Sequence, residues 1–238
     1  TFDEIALEAA ISPRTRAIMI NTPSNPSGKV YSPTELDRLA ILAERYDLFV
    51  FTDEIYEYFV YDQHVHHSPG SLERIADRTI TISGYSKTFS ITGWRIGYAL
   101  CRERWAKLIG YMSDLVYVCG PAPLQAGVAA GIRTLDPAFY TSLCGIYREK
   151  RDRFCSVLDK VGLTPHVPQG AYYVLADATR LPGETSRDKA MHLLERTGVA
   201  TVPGSAFYAS GGGENLLRFC FAKKDEVLDQ ASKQLQSI

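Results

Sequence analysis

The chain has 238 residues, 45% hydrophobic and 22% charged, with 26 basic against 27 acidic side chains and a formal charge of -1. That length supplies one large core or two smaller ones, and the balanced charge leaves no electrostatic footprint for nucleic acid or an anionic membrane surface. No apolar run reaches the length of a bilayer span, the start Thr1-Phe2-Asp3-Glu4 carries no leader pattern, and the five cysteines lack metal-ligand or CxxC spacing, which points to a reduced, cytoplasmic setting.

In chain order, the first elements alternate between strand and helix. RAIMIN (16–21) is a short apolar run ending in a Pro/Ser/Asn turn, as a buried strand does. Ser32-Pro33-Thr34-Glu35 reads as a helix start, with Ser32 as N-cap, Pro33 at the first helical position and Glu35 closing a capping box. Leu36, Leu39, Ala40, Leu42 and Ala43 then recur at helical spacing. LFVF (48–51) and RTITI (78–82) predict two further strands, and RIGYAL (95–100) lies close enough to the latter to pair with it antiparallel. Strands separated by helical crossovers predict an α/β fold built on a mainly parallel, helix-covered sheet.

From about residue 102 long helical patterns take over, around 102–117, 121–134 and 136–161. A β-rich segment follows at 166–177, then a helix near 184–197, strands at 199–202 and 216–221, and a final helix. The expected division is a larger domain over 1–138 and a smaller α+β domain over 139–238 that includes the linking helix. Ser210-Gly211-Gly212-Gly213 reads as a flexible loop. The chain begins without methionine, in what reads as the middle of a domain.

Several residues have both a plain and a chemical reading. Lys87, in SGYSKTFSITGWR (83–95), reads alone as a solvated strand end. With its small neighbours and Arg95 eight positions on, it reads as an amine for a carbonyl cofactor whose anionic tail the guanidinium grips. Ser83 and Ser86 offer hydroxyls to the same anion. Asp53 and Tyr56 follow the LFVF strand, where ligands collect at the carboxyl ends of parallel strands. Asp53 is either a turn aspartate or a carboxylate for a protonated ring nitrogen, and Glu54 is expected to be a solvated neighbour. Asn25, in NTPSNPSG (21–28), is either a turn former or an amide donor for a ring oxygen. Arg218, inside the apolar LLRFCFA (216–222), either points outward by strand alternation or is held for an anion.

Other patterns fail. Gly28-Lys29 is no phosphate loop, because Pro23 takes the first glycine position and Val30 the Ser/Thr position. His64, His66 and His67 lack a supporting carboxylate or cysteine spacing for a metal and read as a polar loop. No GxSxG elbow is present.

Taken together, NTPSNPSG, TDEIY, SGYSKTFSITGWRIGY, PQGAYY and LRFCFA, in this order, resemble the class I/II aminotransferases, the fold-type I pyridoxal-phosphate enzymes of the aspartate aminotransferase superfamily. The resemblance implies a large cofactor-binding domain, present only in part, and a small C-terminal domain. It implies pyridoxal 5′-phosphate as cofactor, held as a Schiff base by Lys87, with Asp53 on the pyridinium nitrogen. Asn25 and Tyr56 would contact the ring hydroxyl, Arg95 and Ser86 the phosphate, and Arg218 the substrate α-carboxylate. The implied reaction moves an amino group between an L-α-amino acid and a 2-oxo acid, with no metal. A β-lyase or decarboxylase of the same fold, or a non-catalytic fragment, shares these residues.

The resemblance also implies a homodimer. Many relatives carry serine three positions before the lysine, where this chain has Gly84. Elements that the family places upstream (a Gly-rich phosphate loop, a ring-stacking aromatic and part of the small domain) are not in this chain, so it is expected to be a C-terminal portion. No arginine falls between Arg104 and Arg133, which favours neutral or aromatic amino acids over dicarboxylates.

Overall fold

A computed structural model describes residues 3–209 and 211–238. Thr1 and Phe2 of the amino-terminal stretch, and Ser210 of the expected flexible loop, lie outside the described residues. The chain divides into two compact units. The first holds the residues up to Pro23, with Val30–Tyr58 and Val65–Tyr140; the second holds Ser24–Lys29, Phe59–His64 and Thr141–Ile238. Two short loop segments from the first half of the sequence therefore belong to the second unit.

The first unit begins with a helix that the sequence reading passed over, α1 (Glu4–Ala10), whose Asp3 cap accepts from the Ala6 amide at 2.9 Å. Strand β1 (Ala17–Asn21) leads to α2 (Pro33–Arg45), which carries the expected capping box: Ser32 and Glu35 satisfy each other's backbone amides. Its buried residues are the five predicted ones, Leu36, Leu39, Ala40, Leu42 and Ala43. Leu36, Leu39, Ala40 and Ala43 pack with Ile18, Ile20, Leu48, Val50 and Ile75. Truncating Leu39 to alanine there would cost about 2–5 kcal/mol.

Strands β2 (Phe49–Asp53), β3 (Thr79–Gly84) and β4 (Gly97–Leu100) complete a sheet in the order β1-β2-β3-β4, parallel except for β4. Pairing carries β2 and β3 two residues further than the apolar runs, to Asp53 and Gly84. β4 starts two residues later than RIGYAL, because Arg95 adopts a left-handed conformation (φ 57°, ψ 41°) that no strand accommodates. One sheet face packs on α2. On the other, Phe49 packs edge-on against Trp105 with ring centroids 4.9 Å apart and Ile80 is buried, while Met19 and Ile82 are exposed. Helices α3 (Glu103–Tyr117) and α4 (Ala122–Thr134) follow, and the division between the units falls within α5 (Pro137–Lys160).

The second unit contains an antiparallel sheet in the order β5-β6-β8-β7, formed by β5 (Thr164–His166), β6 (Tyr173–Asp177), β7 (Val202–Pro203) and β8 (Leu216–Cys220). Helix α6 (Ser186–Thr197) starts on a Thr185/Asp188 capping box, and α7 (Asp225–Leu235) closes the fold. The strand expected at 199–202 is reduced to Val202–Pro203. Gly198 ends α6 in a left-handed cap, and only Val202 and Pro203 pair with β8. Arg151 of α5 is 3% exposed and donates to both Asp62 oxygens, at 2.8 and 3.0 Å, and to Pro168 O at 3.1 Å. Among the described residues no helix is long and apolar enough to cross a membrane.

Candidate functional site

In the first unit, β1 and β2 end level at Asn21 and Asp53, and β3 runs on past Ile82, which stands opposite Asp53, to Gly84. At this edge lies a cavity of about 310 Å³ whose polar lining is Asp53, Ser83, Ser86, Lys87 and Arg95, with Ile55, Ile82 and Ile96 as its main apolar walls. Four predicted site residues therefore share one cavity.

Asp53 is fixed by its backbone. Its carbonyl accepts from Asn21 Nδ2 at 2.9 Å and from the Thr22 amide at 3.0 Å, while Oδ1 accepts from the Ile55 amide at 3.2 Å. Lys87 sits in a turn closed by the Phe89 amide on Tyr85 O at 2.9 Å and stiffened by the stacked Tyr85 and Phe89 rings, 5.0 Å apart. The Lys87 ammonium is half-buried and bonds to no described residue. Ser86 O accepts from the Ile91 amide at 3.0 Å and Thr92 Oγ1 at 3.1 Å, which ties the lysine turn to the segment carrying Arg95. Arg95 Nη1 donates to Thr92 O at 3.0 Å. Its left-handed backbone costs on the order of 1–3 kcal/mol and turns the guanidinium out of the strand path.

Three expectations are corrected here. Ser83 is no anion donor: it is buried, and its hydroxyl donates to Glu57 Oε1 at 3.0 Å, where Tyr98 also donates at 3.3 Å. Burial, opposed by Ser83 and reinforced by Glu57, pushes the Tyr98 phenol up to about 12, so it stays a donor at neutral pH. Glu54 is not a solvated neighbour but 2% exposed, accepting from Thr52 Oγ1 at 3.0 Å and Ser68 Oγ at 2.8 Å and meeting His66 Nε2 at 2.8 Å. His66 is thereby drawn out of the expected polar loop into a buried hydrogen-bonded cluster.

Gly84 has a local cause. It pairs with Gly97 across β3 and β4, and a Cβ on it would lie 2.8 Å from Gly97 Cα and 2.9 Å from Ile96 O. A serine has no room at this position.

In the second unit, Arg218 Nη1 donates to Asn25 Oδ1 at 2.9 Å. The guanidinium carbon lies over the Tyr173 ring at 4.3 Å and the Phe207 ring at 5.1 Å, and buried Nε has no hydrogen-bond partner. Neither open alternative for Arg218 is complete: strand alternation turns it to one face, and there it is held by aromatic rings and an amide. Tyr56, in the first unit, is 4% exposed and does not line the cavity. The sequence reading missed Glu57, Tyr173 and Phe207 as supports. Tyr173 lies in the quoted PQGAYY motif, but only the β6–β8 pairing puts it beside Arg218.

A cavity that gathers a lysine, a carboxylate and a guanidinium at the carboxyl ends of a mainly parallel sheet is the site class that these observations define. The chain belongs to the family described as aminotransferase class I and II, whose model matches residues 2–235. It is 38% identical over 243 residues to the "Probable N-succinyldiaminopimelate aminotransferase DapC" of Mycobacterium tuberculosis, covering 98% of this chain and 61% of that protein. It is 37% identical to kynurenine–oxoglutarate transaminase 3 of Rattus norvegicus, covering 98% of this chain and 55% of the relative.

The solved structure of the M. tuberculosis N-succinyldiaminopimelate aminotransferase superposes with a TM-score of 0.94 at 37% identity, covering 99% of this chain and 62% of that one. YbdL of Escherichia coli, whose structure is described with a methionine aminotransferase function, gives 0.94 at 29% identity, covering 100% and 62%. The chain thus spans about three fifths of the length of these relatives.

Proposed function

We propose that the protein transfers an amino group between an L-α-amino acid and a 2-oxo acid, using pyridoxal 5′-phosphate. The observation that carries this reading is the single cavity shared by Asp53, Ser86, Lys87 and Arg95. The donor set fits the cofactor: a carboxylate for a cationic ring nitrogen, an amine for a carbonyl, and a guanidinium with a hydroxyl for a phosphate. When bound, the cofactor supplies an electron sink for negative charge developing at the substrate Cα.

The chain's own residues do the rest. Lys87 Nζ, which bonds to no described residue, holds the cofactor and then takes and returns the Cα proton. Asp53, held at its backbone by Asn21 and Thr22, keeps positive charge on the ring nitrogen. Arg95 and Ser86 anchor the phosphate. Asn25 and Tyr56 are assigned to the ring hydroxyl and Arg218 to the substrate carboxylate. The relatives' names cover several amino donors, and the lack of an arginine between Arg104 and Arg133 supports neutral or aromatic substrates. A cytoplasmic homodimer is the proposed working form, supported by five unpaired cysteines and by exposed Leu108, Met112, Leu115 and Val116 on α3.

The test is borohydride reduction followed by peptide mapping, together with product analysis. The reading expects the cofactor on Lys87 and one oxo acid formed per amino donor consumed. Label on another lysine defeats the site assignment, and release of ammonia or carbon dioxide in place of transfer defeats the reaction. Light scattering checks the dimer, which a monomeric mass excludes.

A further inference from the structure

Arg218 lies inside a strand whose neighbours Leu217 and Phe219 are buried, yet its Nε is buried without a hydrogen-bond partner. A buried N–H without a partner needs a reason. The surroundings supply one. In the β6–β8 ladder Leu175 stands opposite Arg218, and strand alternation puts Tyr173 on the same face two residues away. The side chain leans toward that ring, and Cζ rests 4.3 Å from its centroid.

The second ring comes from the turn Gly204–Phe207 that follows β7, whose Val202 also faces Arg218 in register. That turn is pinned: Ser205 Oγ meets Ser186 Oγ at 2.8 Å, the Ser205 amide donates to Ser186 Oγ at 3.2 Å, and the Ser186 amide donates to Glu214 at 2.6 Å. Asn25 Oδ1 takes Nη1, and Nη2 bonds to no described residue and is not among the buried atoms.

We propose that Tyr173 and Phe207 are positioning residues that fix the plane of the Arg218 guanidinium, so that Nη2 is presented in advance to a carboxylate. The proposal rests on the assignment of Arg218 to the substrate carboxylate. Two π faces attract the cation without using any of its N–H donors. A hydrogen-bonding neighbour would compete with the ligand for those donors. Because a carboxylate held this way is held equally before and during the reaction, loss of the rings raises KM and leaves kcat nearly unchanged.

The experiment compares Tyr173→Leu, Phe207→Leu, Tyr173→Phe and Arg218→Lys in the full protein carrying this chain. It follows KM and kcat for the amino donor, and calorimetric binding of 3-phenylpropanoate as a simple carboxylate probe. Each leucine variant is expected to raise KM and the probe's Kd roughly 3- to 30-fold, the span of a partly desolvated cation–π contact. Tyr173→Phe, which keeps the ring, should stay within about twofold of the wild type.

Unchanged KM and Kd in both leucine variants overturn the positioning role, as does a Tyr173→Phe variant that fails like Tyr173→Leu, or a fall in kcat at constant KM. If Arg218→Lys leaves both KM and Kd unchanged while the cofactor band at Lys87 is intact, the assignment of Arg218 itself fails and this proposal falls with it. If Arg218→Lys weakens both and the leucine variants do not, only the positioning role is lost.

Discussion

In the unit of the parallel sheet, the charged groups at the cavity are left largely to themselves. Lys87 Nζ bonds to no described residue, Asp53 Oδ1 accepts one backbone amide, and Arg95 gives one bond to a carbonyl. In the unit of the antiparallel sheet two arginines lean on protein groups, Arg151 through every guanidinium nitrogen and Arg218 in part. Arg151 reaches Asp62, Asp152, Pro168 O and the Tyr61 ring, and Arg218 reaches Asn25 and two rings. The contrast separates two uses of charge. Groups that await ligand atoms add little to the stability of their unit, whereas partnered groups hold their unit together and lose that value when one partner is removed.

The comparison breaks first at Lys87. Lys87→Ala is expected to lower turnover by at least about 10³-fold, while chemical denaturation moves by less than about 0.5 kcal/mol. A comparable loss of stability would mean that the lysine is structural. Asp62→Asn is the mirror test, because it leaves Arg151 buried with a weakened partner. A loss of about 2 kcal/mol in unfolding free energy, with kcat nearly unchanged, is the expected outcome.

The same pair sets an acid limit. The hydrogen bond from Arg151 holds the Asp62 carboxyl below the usual carboxylate range. Its contribution is therefore present above the unfolded aspartate value of about 4 and is lost as pH falls through the lower folded value. Unfolding followed against pH should lose stability on that acid limb in the wild type and less so in Asp62→Asn; identical limbs would dismiss the pair as a source of acid sensitivity. The smallest expected effect is in the β3–β4 pairing. Gly84→Ser, forced against backbone atoms of Gly97 and Ile96, should cost about 1–2 kcal/mol. A neutral or stabilising serine would show that β3 and β4 part easily.

What the sequence made legible was local or periodic. The Ser32–Glu35 box lies within one turn, the α2 face repeats every three or four residues, and the lysine-to-arginine segment is continuous. What it hid depends on partners brought by the fold. Glu54 looked solvated because His66 and Ser68, which bury it, arrive from a loop 12 and 14 residues on. Ser83 looked like an anion donor because Glu57 and Tyr98 come from two other segments. The stacking of Arg218 on Tyr173 required the order β6-β8, which no local pattern encodes. Even the start of β4 turned on one backbone conformation, at Arg95, that an apolar count does not register.

Asp53 and Glu54 are adjacent carboxylates that differ by one methylene, yet one faces the cavity and the other is enclosed by Thr52, His66 and Ser68. Their different fates follow from alternation along the chain, since a shift of one residue exchanges the two sides of a strand. A deletion of Leu48, just before β2, that kept the ladder would offer Glu54 to the cavity and turn Asp53 to the side of the hydroxyls and the imidazole. The apolar residues of β2 would change sides in the same step, so such a deletion would be opposed by the core before chemistry could select against it. The packing of Val50 on α2 is thus also a proofreading device for which acid reaches the cavity.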